Sequence, residues 1–307
     1  ATVYSAVNII NRKVHAVKLE LCVDGESSVE REYCILKELE GGLGGEGIPH
    51  AHWFGRESTY DALVLDLLGP SLHDLLLQYQ TFSLSTVVAL ADQLVSRLEY
   101  IHSRGYIHGD IKPQNILMGL GDQGSTAFLV DFGVAKQYRN SATGDHIPFR
   151  SARCLTGTPA FASVNSHIGA ELGRCDDLES LCYVLIYFLC GSLPWLDNGC
   201  RKSASLILKL KRTTPVEVLC RGIPGEFRTI LVYVRSLSFA ETPAYDYIRS
   251  ILSRLCKGGS PAETSSDFSR PPISSCPLPA PMPVPAVANS PLSKSRLTAQ
   301  MKTPRRM

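Results

Sequence analysis

The hydrophobic pattern of this 307-residue chain changes its period once, at residues 66–70, and that change restricts the folds open to it. Before it, apolar residues mostly alternate. Residues 2–9 and 13–20 read as two strands joined by a turn at Asn11-Arg12, the second carrying His15-Ala16-Val17-Lys18-Leu19, and Trp53-Phe54 and residues 62–68 read as two more. Between the pairs, residues 29–39 show helical spacing through Val29, Tyr33, Leu36 and Leu39 and stop at the glycine-rich GGLGGEG. After Gly69-Pro70 the period is helical: residues 83–102 place Val87, Leu90, Ala91, Leu94, Leu98 and Ile101 on one face. The apolar run 181–190, closed by Gly191 and Pro194, is too short to cross a bilayer and reads as a buried helix. A small β-rich beginning and a larger helical remainder predict an α+β fold of two unequal lobes, residues 1–68 and 69–256. The cleft between them is the natural place for a ligand.

The stretch YIHGDIKPQNILMG at 106–119 carries the first chemical signal. Asp110 and Asn115 stand five residues apart after a helix and a short apolar strand, and Asp131-Phe132-Gly133 follows sixteen residues beyond Asn115. Phosphoryl transfer to a hydroxyl needs a carboxylate to take the proton, oxygen ligands for a metal, a cation on the nucleotide phosphates and a cation beside the moving group. Asp110 supplies the base, Asn115 and Asp131 the Mg²⁺ ligands, Lys18 the phosphate-pairing cation and Lys112 the cation at the transferring phosphoryl. A carboxylate on the following helix is expected to hold Lys18. Glu30 and Glu32 both qualify, and counting back from Gly41 favours Glu32. Each residue alone has an ordinary explanation as a solvated charge or a capped turn; the ordered set at this spacing does not.

From Thr2 to about Cys256 the sequence resembles the casein kinase I family of serine/threonine protein kinases. The resemblance rests on LLGPSLHDLL (67–76), IHGDIKPQNILMG (107–119), VDFGVAKQYRN (130–140), HIPFR (146–150), LTGTPAFASVN (155–165), DDLESLCYVLIYFLCGSLPW (176–195) and TPVEVLCRGIPGEF (214–227). Ser163-Val164-Asn165 fits the family's replacement of the usual Ala-Pro-Glu sequence. The resemblance implies a bilobal kinase fold, Mg-ATP as cofactor, and protein substrates with acidic or already phosphorylated Ser/Thr sites. It places adenine against a hinge from Asp66 to Leu68 with Leu65 as gatekeeper, Asp74 near the ribose, and Ala16 and Leu117 among the nucleotide contacts. Asp177 is implied to brace the backbone of the catalytic loop.

Three departures qualify that picture. Gly109 stands where most kinases carry an arginine that reads a phosphate on the activation segment, so activation without phosphorylation of residues 131–165 is expected. The family's first basic anion site is then left with Lys136 and Arg153, and its second, for a primed phosphate, with Arg221, since Ala160 replaces an arginine. Finally, Ala1-Thr2-Val3-Tyr4 resembles only the trailing end of the glycine-rich loop that covers ATP phosphates, and the glycines at 41–47 lie too late to replace it. A truncated chain with weakened ATP binding and an unpaired sheet edge is the expectation. A binding module of pseudokinase type is the competing reading.

Composition bears on the rest. Ten cysteines form no C-x-x-C pair, which suits reduced thiols. From Lys257 onward seven Lys/Arg face two Asp/Glu, a charge of +5, against 24 and 27, or −3, before it. The same segment holds ten of the 19 prolines and is expected to be a disordered, basic Pro/Ser-rich tail at 257–307. A slightly acidic core with its aromatics in core patterns argues against a nucleic-acid binder. A monomer of cytoplasm or nucleus, with no transmembrane segment and no secretion signal, is expected.

Overall fold

The computed structural model describes residues 1–21, 27–42, 44–57, 59–140, 142–151, 154–196 and 202–256. The tail at 257–307 and Arg153 lie outside the described residues. Four strands, β1 (Thr2–Val7), β2 (Val14–Leu21), β3 (Ala51–Glu57) and β4 (Tyr60–Asp66), form an antiparallel sheet in the order β1-β2-β4-β3. The first strand ends two residues sooner than its alternation suggested. Asn8 accounts for this, because its side chain accepts from the N–H groups of Ile10 and Asn11 and turns the chain. The last ends at Asp66, not Leu68, where Gly69 N–H turns instead to Met118 O. Among the described residues β1 has no strand on its outer side.

The helix α1 (Ser28–Leu39) lies on this sheet and buries Val29, Glu32, Ile35, Leu36 and Leu39. Ser27 caps it by accepting from Glu30 N–H, an interaction worth about 1 kcal/mol. Its far end is fixed by the helical part, since Tyr100 donates to Leu39 O and Arg104 to Glu38 O.

The helical part is organised around α5 (Arg174–Cys190), which is buried on every side from Cys175 to Ile186, its carboxylates Asp176, Asp177 and Glu179 included. Gly191, at φ +69°, ends it in a left-handed cap that a side chain would strain. Around it pack α2 (Leu72–Tyr79), α3 (Leu84–Ser103), α4 (Val164–His167), α6 (Ala204–Thr213), α7 (Val216–Leu219), α8 (Gly225–Ser236) and α9 (Tyr245–Cys256). Short two- and three-residue strands, β5 (Tyr106–Ile107) with β8 (Lys136–Gln137) and β6 (Ile116–Met118) with β7 (Ala127–Leu129), hold the intervening loops. Cys34, Cys154, Cys175, Cys182, Cys190 and Cys220 are free thiols; Cys175, Cys182 and Cys220 are buried, and Cys34 and Cys154 are exposed. No described helix is long and apolar enough to cross a membrane.

Candidate active site

Antiparallel register creates the first half of the site. Ala16 stands opposite Leu65 and Lys18 opposite Leu63, so all four side chains share one face of the sheet. From that face the Lys18 ammonium reaches Glu32 Oε2 at 2.6 Å and Asp131 Oδ1 at 2.7 Å. Glu30 instead lies 3.6 Å from Arg56 on the exposed side of α1, which settles between the two carboxylates. Burial works against the Lys18 charge, but Glu32 and Asp131 outweigh it and raise its pKa above the ordinary lysine value. For Asp131, burial pushes the carboxyl up and Lys18 more than reverses it, leaving it below the usual carboxylate range. Glu32 also accepts from Phe132 N–H at 3.0 Å, which ties α1 directly to the Asp-Phe-Gly turn.

Three buried groups hold the loop that carries Asp110. Asp177, near the start of α5, accepts from His108 N–H at 2.7 Å, Gly109 N–H at 2.8 Å and His102 Nε2 at 2.9 Å. The His108 Nε2 nitrogen donates to Val130 O at 3.0 Å, which leaves its Nδ1 to accept from Asp110 N–H. Asn115, on the turn before β6, donates to Asp110 O at 3.0 Å. Asp110 Oδ2 then faces Lys112 Nζ at 2.5 Å, and Asp110 Oδ1 accepts from Thr158 N–H at 2.7 Å. The Thr158 hydroxyl completes the group by accepting from Lys112 at 3.1 Å. Asp131 takes φ +69°, a left-handed conformation that Asp tolerates and that recurs where a backbone is held for function.

Two sets of short polar contacts result, one joining Lys18, Glu32 and Asp131, the other joining Asp110, Lys112, Asn115 and Thr158. Other expected site residues are placed differently. The Asp66 carboxylate points back to β3, accepting from His50 N–H and pairing with His52 at 2.7 Å. Asp74 is exposed and its Oδ2 closes the capping box of α2 with Ser71. Leu65 and Leu117 are half-buried, and Leu117 bridges Ser71. Lys136 does not offer a free cation: its ammonium pairs with Glu171, which is 1% exposed, because a charge carried next to a buried carboxylate is drawn to it. Arg221 is exposed after α7. The sequence shows Thr158 only as part of LTGTPAFASVN and gives it no contact with Asp110, since nothing local ties the two across 48 positions.

Gly109 has φ +80°, and a Cβ there would meet Val134 O at 3.6 Å and Thr156 Cγ2 at 3.8 Å, which is ordinary contact. Space is therefore not what requires glycine. Gly109→Arg should fold, lose about 1–2 kcal/mol to its left-handed backbone and leave Asp110 in place. Thermal unfolding is expected to fall by roughly 2–4 °C for each kcal/mol lost. A drop several times larger would mean that the loop cannot hold its geometry with a side chain there.

Residues 1–253 match a family model described as the protein kinase domain. That match covers the sheet, the Lys18–Asp131 cluster, the Asp110 loop and the helical part together. The chain therefore belongs to the protein kinase domain family, transferases that use ATP and act on proteins.

Proposed function

We propose that this protein is a serine/threonine protein kinase of casein kinase I type, moving the γ-phosphoryl group of Mg-ATP to Ser/Thr hydroxyls at acidic or primed sites. The observation that carries the reading is Asp110, a carboxylate held at a fixed angle by Thr158 N–H with Lys112 beside it. A hydroxyl placed against Asp110 would give up its proton there, while Lys112 balances charge at the phosphoryl group. Lys18 would meet the phosphates, held by Glu32. Ala16, Leu65, Leu68 and Leu117 would enclose the base and Asp74 would lie toward the ribose.

The donor set fits a small hard cation shared with the nucleotide. Asp131 keeps 42% of its side chain exposed, and Asn115 commits its amide N–H to Asp110 O, leaving a carbonyl oxygen as the remaining donor. Among the described residues no cluster of three or more His, Cys, Asp or Glu could hold a metal by itself. Two protein oxygens with phosphate and water making up the shell is the pattern Mg²⁺ favours. When bound there, Mg-ATP supplies the phosphoryl group and masks the charge that develops on it.

The casein kinase I assignment rests on the motif set and on the part Ser163-Val164-Asn165 plays. Ser163 caps α4 by accepting from Ser166 N–H, and Asn165 donates to Asp176 at the start of α5. That tie anchors the end of the activation segment without a Glu in the sequence. With Lys136 engaged by Glu171 and Ala160 neutral, preference for acidic sites would rest on Arg221 and Arg153.

Mg-dependent transfer of labelled phosphate to casein and to an acidic serine peptide tests the reading. The chain as it stands is compared with a form carrying a first strand and glycine loop ahead of Thr2, each beside its Asp131→Asn control. Transfer by the extended form that disappears in its control is the expected result. No transfer by either form, in folded protein, overturns the proposal in favour of a binding module.

A further inference from the structure

Lys211, on α6, is a lysine with 1% of its surface exposed, and no carboxylate among the described residues lies within ion-pair distance of it. Its ammonium instead donates to two backbone carbonyls, Pro159 O at 2.8 Å and Ala162 O at 2.5 Å. The rings of Tyr183 and Trp195 stand 4.7 Å and 5.2 Å away and stabilise the charge through their faces. Of the two carbonyls between them, that of Ala160 is also taken, because Trp195 Nε1 donates to it at 2.7 Å. Side chains from the helical core thus pin three carbonyls within four residues, immediately after Thr158, which is bonded to Asp110. Residues 158–162 therefore form the backbone next to Asp110, where the kinase reading puts the substrate hydroxyl.

We propose that Lys211 is a positioning residue for the protein substrate: by holding the carbonyls of Pro159 and Ala162 it fixes the surface on which the substrate backbone lies, and it sets substrate affinity without acting on the nucleotide. The inference rests on the kinase reading above for its kinetic consequence and on geometry alone for its structural one. Burial pushes the ammonium down to about 7; Glu179, held by Arg235 and Tyr183, raises it and Arg235 lowers it. His167, on α4, lies 3.3 Å away and also shares Pro159 O. Grip on the two carbonyls should therefore weaken as pH rises through that value.

The test uses the full chain and two variants, Lys211→Met and Lys211→Arg, with an acidic serine peptide as substrate. Lys211→Met should raise the peptide KM roughly tenfold, about the effect of losing a charge-assisted hydrogen bond, with the ATP KM within about twofold. Backbone amide exchange should speed up over residues 156–163 and stay unchanged in β2 and β4. Lys211→Arg, which keeps its charge, should recover most of the protection and lose the dependence on pH. An unchanged peptide KM, an equal rise in the ATP KM, or faster exchange throughout the sheet would each overturn the proposal. If none of these proteins transfers phosphate and the extended form is silent too, the kinase reading fails separately. Unaltered exchange at 156–163 in Lys211→Met then sinks the positioning role as well.

Discussion

Asp110→Asn should lower turnover by about 10²–10⁴-fold, the range expected when a general base is removed, while leaving the KM for ATP nearly unchanged. The substitution keeps the shape of the side chain and its ability to accept from Thr158 N–H, so the fold around it should survive. What disappears is the negative charge next to Lys112 and the lone pair that, on the proposed mechanism, would take the proton. Steady-state kinetics at saturating ATP, with thermal unfolding as a control, separate the two effects. A turnover within about threefold of the parent would remove Asp110 from the role of base and move attention to Asp131.

Asp177→Ala should cause the largest loss of stability, about 3–5 kcal/mol, the range for removing one partner from a buried charged network. The carboxylate is 3% exposed and accepts three hydrogen bonds, so its loss leaves the N–H groups of His108 and Gly109 buried without acceptors. Because those two residues precede Asp110, activity should fall with stability. Burial alone would raise the Asp177 pKa, but the bond from His102 and the neighbouring histidines more than offset it and hold it below the ordinary value. A carboxylate with a depressed folded pKa adds stability above its unfolded value, near 4, and loses it as pH falls through the folded one. Urea unfolding between pH 7 and pH 3 should show this acid-side slope in the parent and a flatter one in Asp177→Ala. Parallel curves would mean that the carboxylate is not the group responsible.

Much of the architecture was legible because it depends on local periodicity. The strands β1 to β4 and the helices α1 and α3 appear within a few residues of where alternation and helical spacing put them. The errors fall at their ends, where side-chain turns such as that of Asn8 compete with the pattern. At the candidate site, spacing within one loop marked Asp110, Lys112 and Asn115 as candidates, and the Asp-Phe-Gly tripeptide marked Asp131. It could not show which groups were already engaged. Lys136 reads as a free cation in sequence and is bound to Glu171 in the fold, and Lys211 reads as one more charge in KLKR yet is buried under the activation segment.

By itself, then, the sequence determined the element types, the division into a β-rich and a helical part, and the chemical kinds of residue in the Asp110 loop. These follow from the periodicity and from the order of polar groups along a few residues. Only the tertiary structure decided which of Glu30 and Glu32 meets Lys18, that Thr158 closes on Asp110, and that Lys211 grips Pro159 and Ala162. Those pairings join positions 14 to 52 residues apart. No local propensity encodes them, because each charge finds its partner only after burial has removed the water that would otherwise have satisfied it.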